Sequence, residues 1–262
     1  MDNGATSAPI LVTGGTGTLG RQVVPLLRAA GRDVRVLSRR SHESEDGAEY
    51  VTGDLLKGEG VEPAVAGVQT VLHLAGSGKG DDKATRSLVQ AAAAAGVQHV
   101  VYISVIGADK VPVGYFRSKL GAEQAVTGSG IPWTTLRAAQ FHDLVLKVML
   151  SMSRMPVIPV PGAVRFQSVD SGEVAARMAE LTLGPPAGLV PDLAGPKVYP
   201  MRELVQGYLR ARGKHRLLMP VPMPGKAGRA YKEGLNLSLD ATKGERTWED
   251  YLAAHLKEGA AR

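Results

Sequence analysis

Three side chains near the middle of the chain have the types and spacing for proton transfer to a polarised carbon–heteroatom bond. Tyr115 and Lys119 stand four apart in a stretch, Tyr115 to Thr127, that reads as a helix. They therefore share a face, with Cβ atoms about 5–6 Å apart. A free phenol titrates near ~10 and relays protons poorly at neutral pH. An ammonium about 5 Å away, at an effective dielectric near ~20, favours phenolate by roughly 3 kcal/mol, about two pKa units. The pair can then act as acid or base near pH ~7–8, and Lys119 could also hold a ribose. Taken alone, Tyr-x-x-x-Lys is common on solvated helix faces, and its weight comes from its place in the chain. Ser104 ends an apolar strand, His99 to Ile103, and is either a donor to a substrate carbonyl or an ordinary strand-end hydroxyl.

A proton donor of this kind needs a hydride source, and two stretches point to one. Pro9 to Gly20 reads P-I-L-V-T-G-G-T-G-T-L-G. A short apolar strand empties into a glycine turn and then a helical pattern, which makes a phosphate-binding strand-turn-helix. Gly14, Gly17 and Gly20 are spaced by three, while Gly15, Gly17 and Gly20 also satisfy G-x-G-x-x-G. Either register demands a tight turn, a backbone close enough to touch a pyrophosphate, and a helix packed hard on its strand. The helix end offers free N–H groups and its positive dipole. About twenty residues on, Ser38-Arg39-Arg40 stands where an NAD-binding fold places an acid on the ribose 2′-hydroxyl. Two guanidiniums can fork onto a 2′-phosphate, so NADP(H) is favoured over NAD(H).

The elements that must position these groups alternate. Helix Leu19 to Ala30, interrupted by Pro25, is followed by strand Asp33 to Leu37, polar loop Ser41 to Gly47 and strand Glu49 to Gly53. Then come a short helix at Val61 to Ala66, a strand from Thr70 ending at Gly76, a helix at Lys83 to Ala95, the strand before Ser104, the Tyr115 helix, and a strand at Trp133 to Leu136. Such alternation implies an α/β fold: a Rossmann-type, doubly wound, parallel sheet with the ligand crevice at the carboxyl ends of the strands. From about residue 141 prolines break the pattern. The chain is expected to divide into an NAD(P)-binding domain, 1–140, whose sheet later segments complete, and a small C-terminal substrate lobe, 141–262. Its helices are expected near Ser171 to Leu183, Met201 to Arg212 and Thr247 to Leu256.

Composition narrows the function classes. The 262 residues are 44% hydrophobic and 21% charged, enough for a buried core. Without cysteine there is no disulfide, thiolate nucleophile or thiolate metal site, and a cytoplasmic setting fits. Met1 to Ala8 lacks the pattern of an export signal, and no stretch approaches ~20 apolar residues, so no membrane is expected. The net charge of +6 is scattered and aromatic content is 5%, so nucleic acid is not expected as a partner either. An apolar helix face could be core or the interface of a homo-oligomer.

Thr13-Gly-Gly-Thr-Gly-Thr-Leu-Gly20, Ser38-Arg39-Arg40, Gly53-Asp54-Leu55, His73-Leu74-Ala75-Gly76, Ser104, Tyr115-Phe-Arg-Ser-Lys119 and Ile131-Pro-Trp-Thr-Thr-Leu-Arg137 together resemble the short-chain dehydrogenase/reductase superfamily. The resemblance is to its atypical NmrA-like branch of NAD(P)H-binding proteins. It implies cofactor contacts at Thr13, Gly14, Thr16, Gly17, Thr18, Leu19, Gly20, Ser38, Arg39, Arg40 and Lys119. By the same resemblance Asp54 and Leu55 border the adenine, Ala75 and Gly76 the adenine ribose and pyrophosphate, and Ala138 and Phe141 the nicotinamide. Tyr115 would donate the proton, Lys119 lower its pKa and Ser104 orient the carbonyl. The loop Val105 to Gly114, which contains Pro112, leaves the aim of Ser104 open.

The expected function is NADPH-dependent reduction of a carbonyl, or a conjugated or imine-like bond, in a small organic molecule. The alternatives are a non-catalytic NADP(H)-sensing regulator and, behind it, a nicotinamide-dependent isomerase or epimerase. Of the remaining residues, His73 reads as packed or cofactor-adjacent rather than a metal ligand. His142-Asp143 reads as a helix start or a substrate contact, and Met149, Met152 and Met155 as a core stripe or a pocket lining.

Overall fold

The computed structural model describes residues 8–43, 47–76 and 78–258; the reading of residues 1–7 as lacking an export signal lies outside them. In chain order the elements are β1 (Ile10–Thr13), α1 (Gly20–Ala29), β2 (Val34–Ser38), β3 (Glu49–Thr52), α2 (Val61–Val65), β4 (Thr70–His73), α3 (Asp81–Ala94), β5 (His99–Val105), α4 (Gly114–Thr127) and β6 (Trp133–Ala138). There follow α5 (His142–Met152), β7 (Val157–Pro161), β8 (Arg165–Phe166), α6 (Ser171–Leu183), β9 (Gly188–Leu189), β10 (Leu193–Ala194) and β11 (Tyr199–Pro200). The last are α7 (Met201–Ala211), β12 (Leu217–Val221), α8 (Gly225–Glu233), β13 (Thr242–Lys243) and α9 (Trp248–Glu258).

The chain forms two compact units, each discontinuous in sequence. The first contains the described part of Met1–Ser104 with Arg117–Leu136 and Ala175–Val190; the second contains Val105–Phe116, Arg137–Val174 and the described part of Pro191–Arg262.

In the first unit the strands lie in the order β6-β5-β4-β1-β2-β3, with β9 beside β6. The pairs β1–β2, β1–β4, β2–β3 and β4–β5 are parallel. This is the Rossmann arrangement, in which strand order reverses between β1 and β4 and leaves a ligand crevice at their carboxyl ends. Leu11, Val71, Val100 and Tyr102 pack into one core with Val61 and Val65 of α2, Leu88 and Ala92 of α3, and Ala122 and Val126 of α4. Ile10, Val12, Leu72 and Val101 alternate with them and are equally buried. Because side chains point to opposite faces every second residue, both faces of the sheet are covered. The helix α1 runs unbroken through Pro25, where the expected interruption costs only one backbone donor. In contrast, α3 begins at Asp81, two residues before the position expected from sequence, and takes Asp81 and Asp82 into its first turn.

The second unit carries elements that sequence periodicity does not show. β12 pairs β7 in parallel, Leu217 opposite Val157 and Val221 opposite Pro161, while β8 pairs β11 antiparallel. β10 pairs β13 and meets Ala138, the last residue of β6, through Leu193. The core of this unit joins Val145 and Met149 of α5, Ile158 and Val160 of β7, and Leu204 and Tyr208 of α7 to Trp248 and Tyr251 of α9. Among the described residues no helix is long and apolar enough to cross a membrane.

Candidate functional site

The glycine turn lies in the first unit at the end of β1. Gly14 has φ +72°, and a Cβ there would stand 2.7 Å from the Ala75 nitrogen, so the ends of β1 and β4 touch through bare backbone. The Gly17 N–H donates to the Gly14 carbonyl at 3.0 Å and closes the turn. A Cβ on Gly20 would lie 2.3 Å from that same carbonyl oxygen, while one on Gly15 would strike Val36. All four glycines are thus used, and the two spacings in the sequence overlap rather than compete. The first turn of α1 has neither an acidic residue nor a side-chain cap; the Gly17 carbonyl takes the Arg21 N–H and the Leu19 carbonyl those of Gln22 and Val23, so what this end offers an anion is its positive dipole.

Thr13 anchors the turn from behind. His73 is buried between Thr13 Oγ1, 2.6 Å from Nδ1, and Thr85 Oγ1, 2.9 Å from Nε2. Thr85 gives its own proton to the Asp81 carbonyl at 2.7 Å, so His73 must donate from Nε2 and accept at Nδ1. The Thr13 hydroxyl then donates to His73 and receives the Ala75 N–H at 3.4 Å. Burial pushes the His73 pKa down to about 3, which keeps the ring neutral. His73 is a structural histidine of the cradle, and among the described residues no cluster of acidic, histidine or cysteine side chains could hold a metal.

Ser38 ends β2, and its hydroxyl accepts the Arg40 N–H at 3.3 Å and lies 3.1 Å from His42 Nε2. Arg39 and Arg40 are exposed beyond it. Beside the glycine turn is an open cavity of about 680 Å³, lined by Gly15, Thr16, Arg21, Arg28, His42 and Tyr50 among others. Arg21 and Arg28 escaped sequence reasoning, although their separation by two turns of α1 could have flagged them. Asp54 caps its own turn, accepting the Leu56 N–H at 2.9 Å, and Leu55 is buried in the core with Leu37 and Val61.

The carboxyl end of β4 meets Lys119. A Cβ on Gly76 would lie 3.0 Å from both Lys119 Nζ and Asp81 Oδ2. These two atoms form an ion pair at 3.4 Å, with side chains only 8% and 2% exposed. Lys119 Nζ also donates to Tyr102 Oη at 3.3 Å and the Ile103 carbonyl at 3.4 Å. Burial lowers the Lys119 pKa, and the charges of Asp81 and Glu123 oppose that shift. Ser104, buried at the end of β5, gives its proton to Glu123 Oε1 at 2.5 Å. The structure therefore engages both Lys119 and Ser104 with carboxylates that sequence reasoning passed over. Asp81 was missed because the helix was expected to start at Lys83; Glu123 sits one turn beyond Lys119 and was legible only as a helix-face acid.

Tyr115 stands in the first turn of α4, one turn before Lys119, is half-buried, and meets the Phe116 ring edge-on at 5.3 Å between centroids. In the second unit Ala138 is buried, its carbonyl accepting the Ile106 N–H, and the Phe141 carbonyl receives the Leu144 and Val145 N–H groups at the start of α5. His142 lies in an aromatic core, its ring centroid 5.2 Å from Tyr251 and 5.8 Å from Trp248, and Asp143 accepts the Ser171 hydroxyl. Met149 and Met152 are core, whereas Met155 is exposed.

A family model described as NAD(P)H-binding matches residues 14–148, just over half of the chain. The chain belongs to this NAD(P)H-binding family. The matched segment contains the glycine turn, the Gly76–Lys119 contact and Ser104. The residues present fit a dinucleotide of that kind: a side-chain-free cradle between Gly14 and Ala75, an uncapped helix terminus, and guanidiniums beside it. The photosystem II assembly factor Ycf39 of Trieres chinensis is 34% identical over 51% of this chain but 46% of its own length, so the chain spans about half of that relative. A (4-alkanoyl-5-oxo-2,5-dihydrofuran-3-yl)methyl phosphate reductase of Streptomyces griseus is 33% identical over 78% of this chain and 74% of its own. The NADPH-dependent quinone oxidoreductase of Escherichia coli, solved with NADPH, superposes with a TM-score of 0.81 at 20% identity, covering 94% of this chain and 99% of that one, a likeness of fold.

Proposed function

We propose that this NAD(P)H-binding chain is an oxidoreductase that uses NADPH to reduce a carbonyl, or a conjugated or imine-like bond, of a small organic molecule. The observation that carries this reading is its identity, over three quarters of each chain, to a protein named as a reductase. NADPH over NADH rests on Ser38-Arg39-Arg40, with Arg21 and His42 close to the glycine turn, where guanidiniums suit a 2′-phosphate and an acid would repel it.

When bound, the nicotinamide supplies the hydride. The work of the chain is to bind, orient and protonate. Thr13, Gly14, Gly17 and Gly20 form the backbone cradle, and Lys119 lends positive charge one turn from Tyr115 on α4. Tyr115 gives its phenolic proton to the oxygen that gains charge as the bond is reduced. Ser104 can donate to that oxygen only by turning from Glu123, which costs the buried carboxylate one hydrogen bond. The segment after residue 141 selects the small molecule, and Ala138 and Phe141 border the nicotinamide.

The test is loss of NADPH absorbance against a panel of quinones, azo dyes, enals and ketones. Tyr115→Phe is expected to lower turnover by at least ~100-fold with NADPH affinity unchanged; full activity in that variant removes Tyr115 from the mechanism. A second reading, binding of NADP(H) without turnover, is favoured by the engagement of both Ser104 and Lys119 with carboxylates. It predicts tight NADPH binding and no oxidation with any member of the panel.

A further inference from the structure

We propose that Asp81 is the positioning residue that keeps Lys119 a fixed, charged ammonium behind the backbone of Gly76. The inference rests on the reading of Lys119 given above and adds the group that makes its charge tenable. At 8% exposure a lone ammonium loses most of its hydration and gives up its proton. The groups facing it are Asp81 from α3, Glu123 from its own helix, and Tyr102 and His73 from the strands. Tyr102 presents a hydroxyl 3.3 Å away, and its ring centroid lies 5.2 Å from the amine. His73 is neutral by the donor accounting above, so the compensating charge comes from carboxylates. Asp81 is in ion-pair contact with Lys119, at 3.4 Å.

Asp81 is itself held in place. Its backbone N–H donates to Ser118 Oγ at 3.1 Å, and its carbonyl accepts the Thr85 hydroxyl at 2.7 Å. Ser118 Oγ also reaches Asp82 Oδ1 at 3.5 Å, and Gly121 admits the Asp82 side chain where a Cβ would approach its Cβ to 2.8 Å. The first turn of α3 is therefore latched to α4 at Ser118, Lys119 and Gly121, so neither partner of the ion pair can turn away independently. Gly76 completes the arrangement, since a side chain there would put a Cβ 3.0 Å from both charged atoms. Gly14 contacts the neighbouring Ala75, so the pair stands directly behind the dinucleotide cradle.

The experiment is an NMR titration of the lysine 13Cε resonances in the full chain with NADPH, with Lys119 assigned by its loss in Lys119→Arg. Asp81→Asn is expected to lower the Lys119 midpoint by at least about one pH unit, a tenfold loss of proton affinity, and Asp81→Glu to restore most of it. An unmoved midpoint in folded Asp81→Asn overturns the proposal. If Asp81→Asn does not fold, Asp81→Asn/Lys119→Met decides: recovery of folding supports an uncompensated ammonium as the cause, and failure to recover overturns it. With menadione as substrate, the alkaline limb of the pH–rate profile should move down with the midpoint; a limb that stays put overturns the link to proton transfer. A wild-type chain that oxidises no NADPH sinks the oxidoreductase reading instead, and the titration still decides the role of Asp81.

Discussion

Gly20 is so close to Gly14 that a Cβ on it would stand 2.3 Å from the Gly14 carbonyl oxygen. The start of α1 and the turn that ends β1 are thus one rigid piece, with no room for even a methyl group. Gly20→Ala must push the helix off the turn, and Gly14→Ala must both clash with Ala75 and hold alanine at φ +72°. Either change is expected to weaken NADPH binding by more than tenfold, about 1.4 kcal/mol, and to lower the melting temperature, as read by fluorescence titration and thermal unfolding.

The 2′-phosphate reading is tested by comparing NADPH and NADH affinities in wild type and in Arg39→Ala/Arg40→Ala. The double variant should lose about tenfold in NADPH affinity, ~1.4 kcal/mol, while NADH affinity stays within error. Arg21→Ala should add a smaller loss of the same kind, because that guanidinium lines the cavity next to Thr16. Equal losses for both nucleotides would mean the arginines merely add general positive charge.

His73 makes stability depend on pH. Its folded pKa, about 3, lies below its ordinary value of 6.5, so between these values the unfolded chain binds a proton that the folded one refuses. Stability is complete above pH 6.5 and falls as pH drops toward 3. From pH 7.5 to pH 5 this one group should remove about 2 kcal/mol, and His99 and His142, also lowered by burial, act in the same direction. Urea unfolding at the two pH values, repeated on His73→Gln, checks this: the variant should be less stable at pH 7.5 but lose less on acidification.

Legibility in the sequence followed the range of the interaction. The parallel strands and the glycine turn were readable because apolar runs of four or five residues and glycine spacing are local signals. Gly14, Gly17 and Gly20 were found at their positions, and Tyr115 and Lys119 on the expected helix. The partners of the candidate groups were not readable. Asp81 meets Lys119 from 38 positions away, and the two acids at the head of α3 look like loop residues until that contact draws the helix back over them. Ser104 and Glu123 are 19 apart and on different elements, so no spacing rule joins them. The second unit hid its strands for the same reason: β8, β10, β11 and β13 have two residues each, too short for any alternation to show. β7 finds β12 only after sixty residues.

That last pairing bears on solubility. In β7, Pro159 and Pro161 stand two apart, and Pro220 lies opposite Val160 in β12. A paired strand tolerates proline only where the ring nitrogen faces away from its neighbour. The outer edges of this ribbon therefore lack donors at these positions, and a strand from another molecule would find carbonyls there with too few N–H groups to complete a ladder. The prolines that make this region hard to read also stop it from growing, which guards a chain with exposed Leu217 and Met219 against edge-to-edge aggregation.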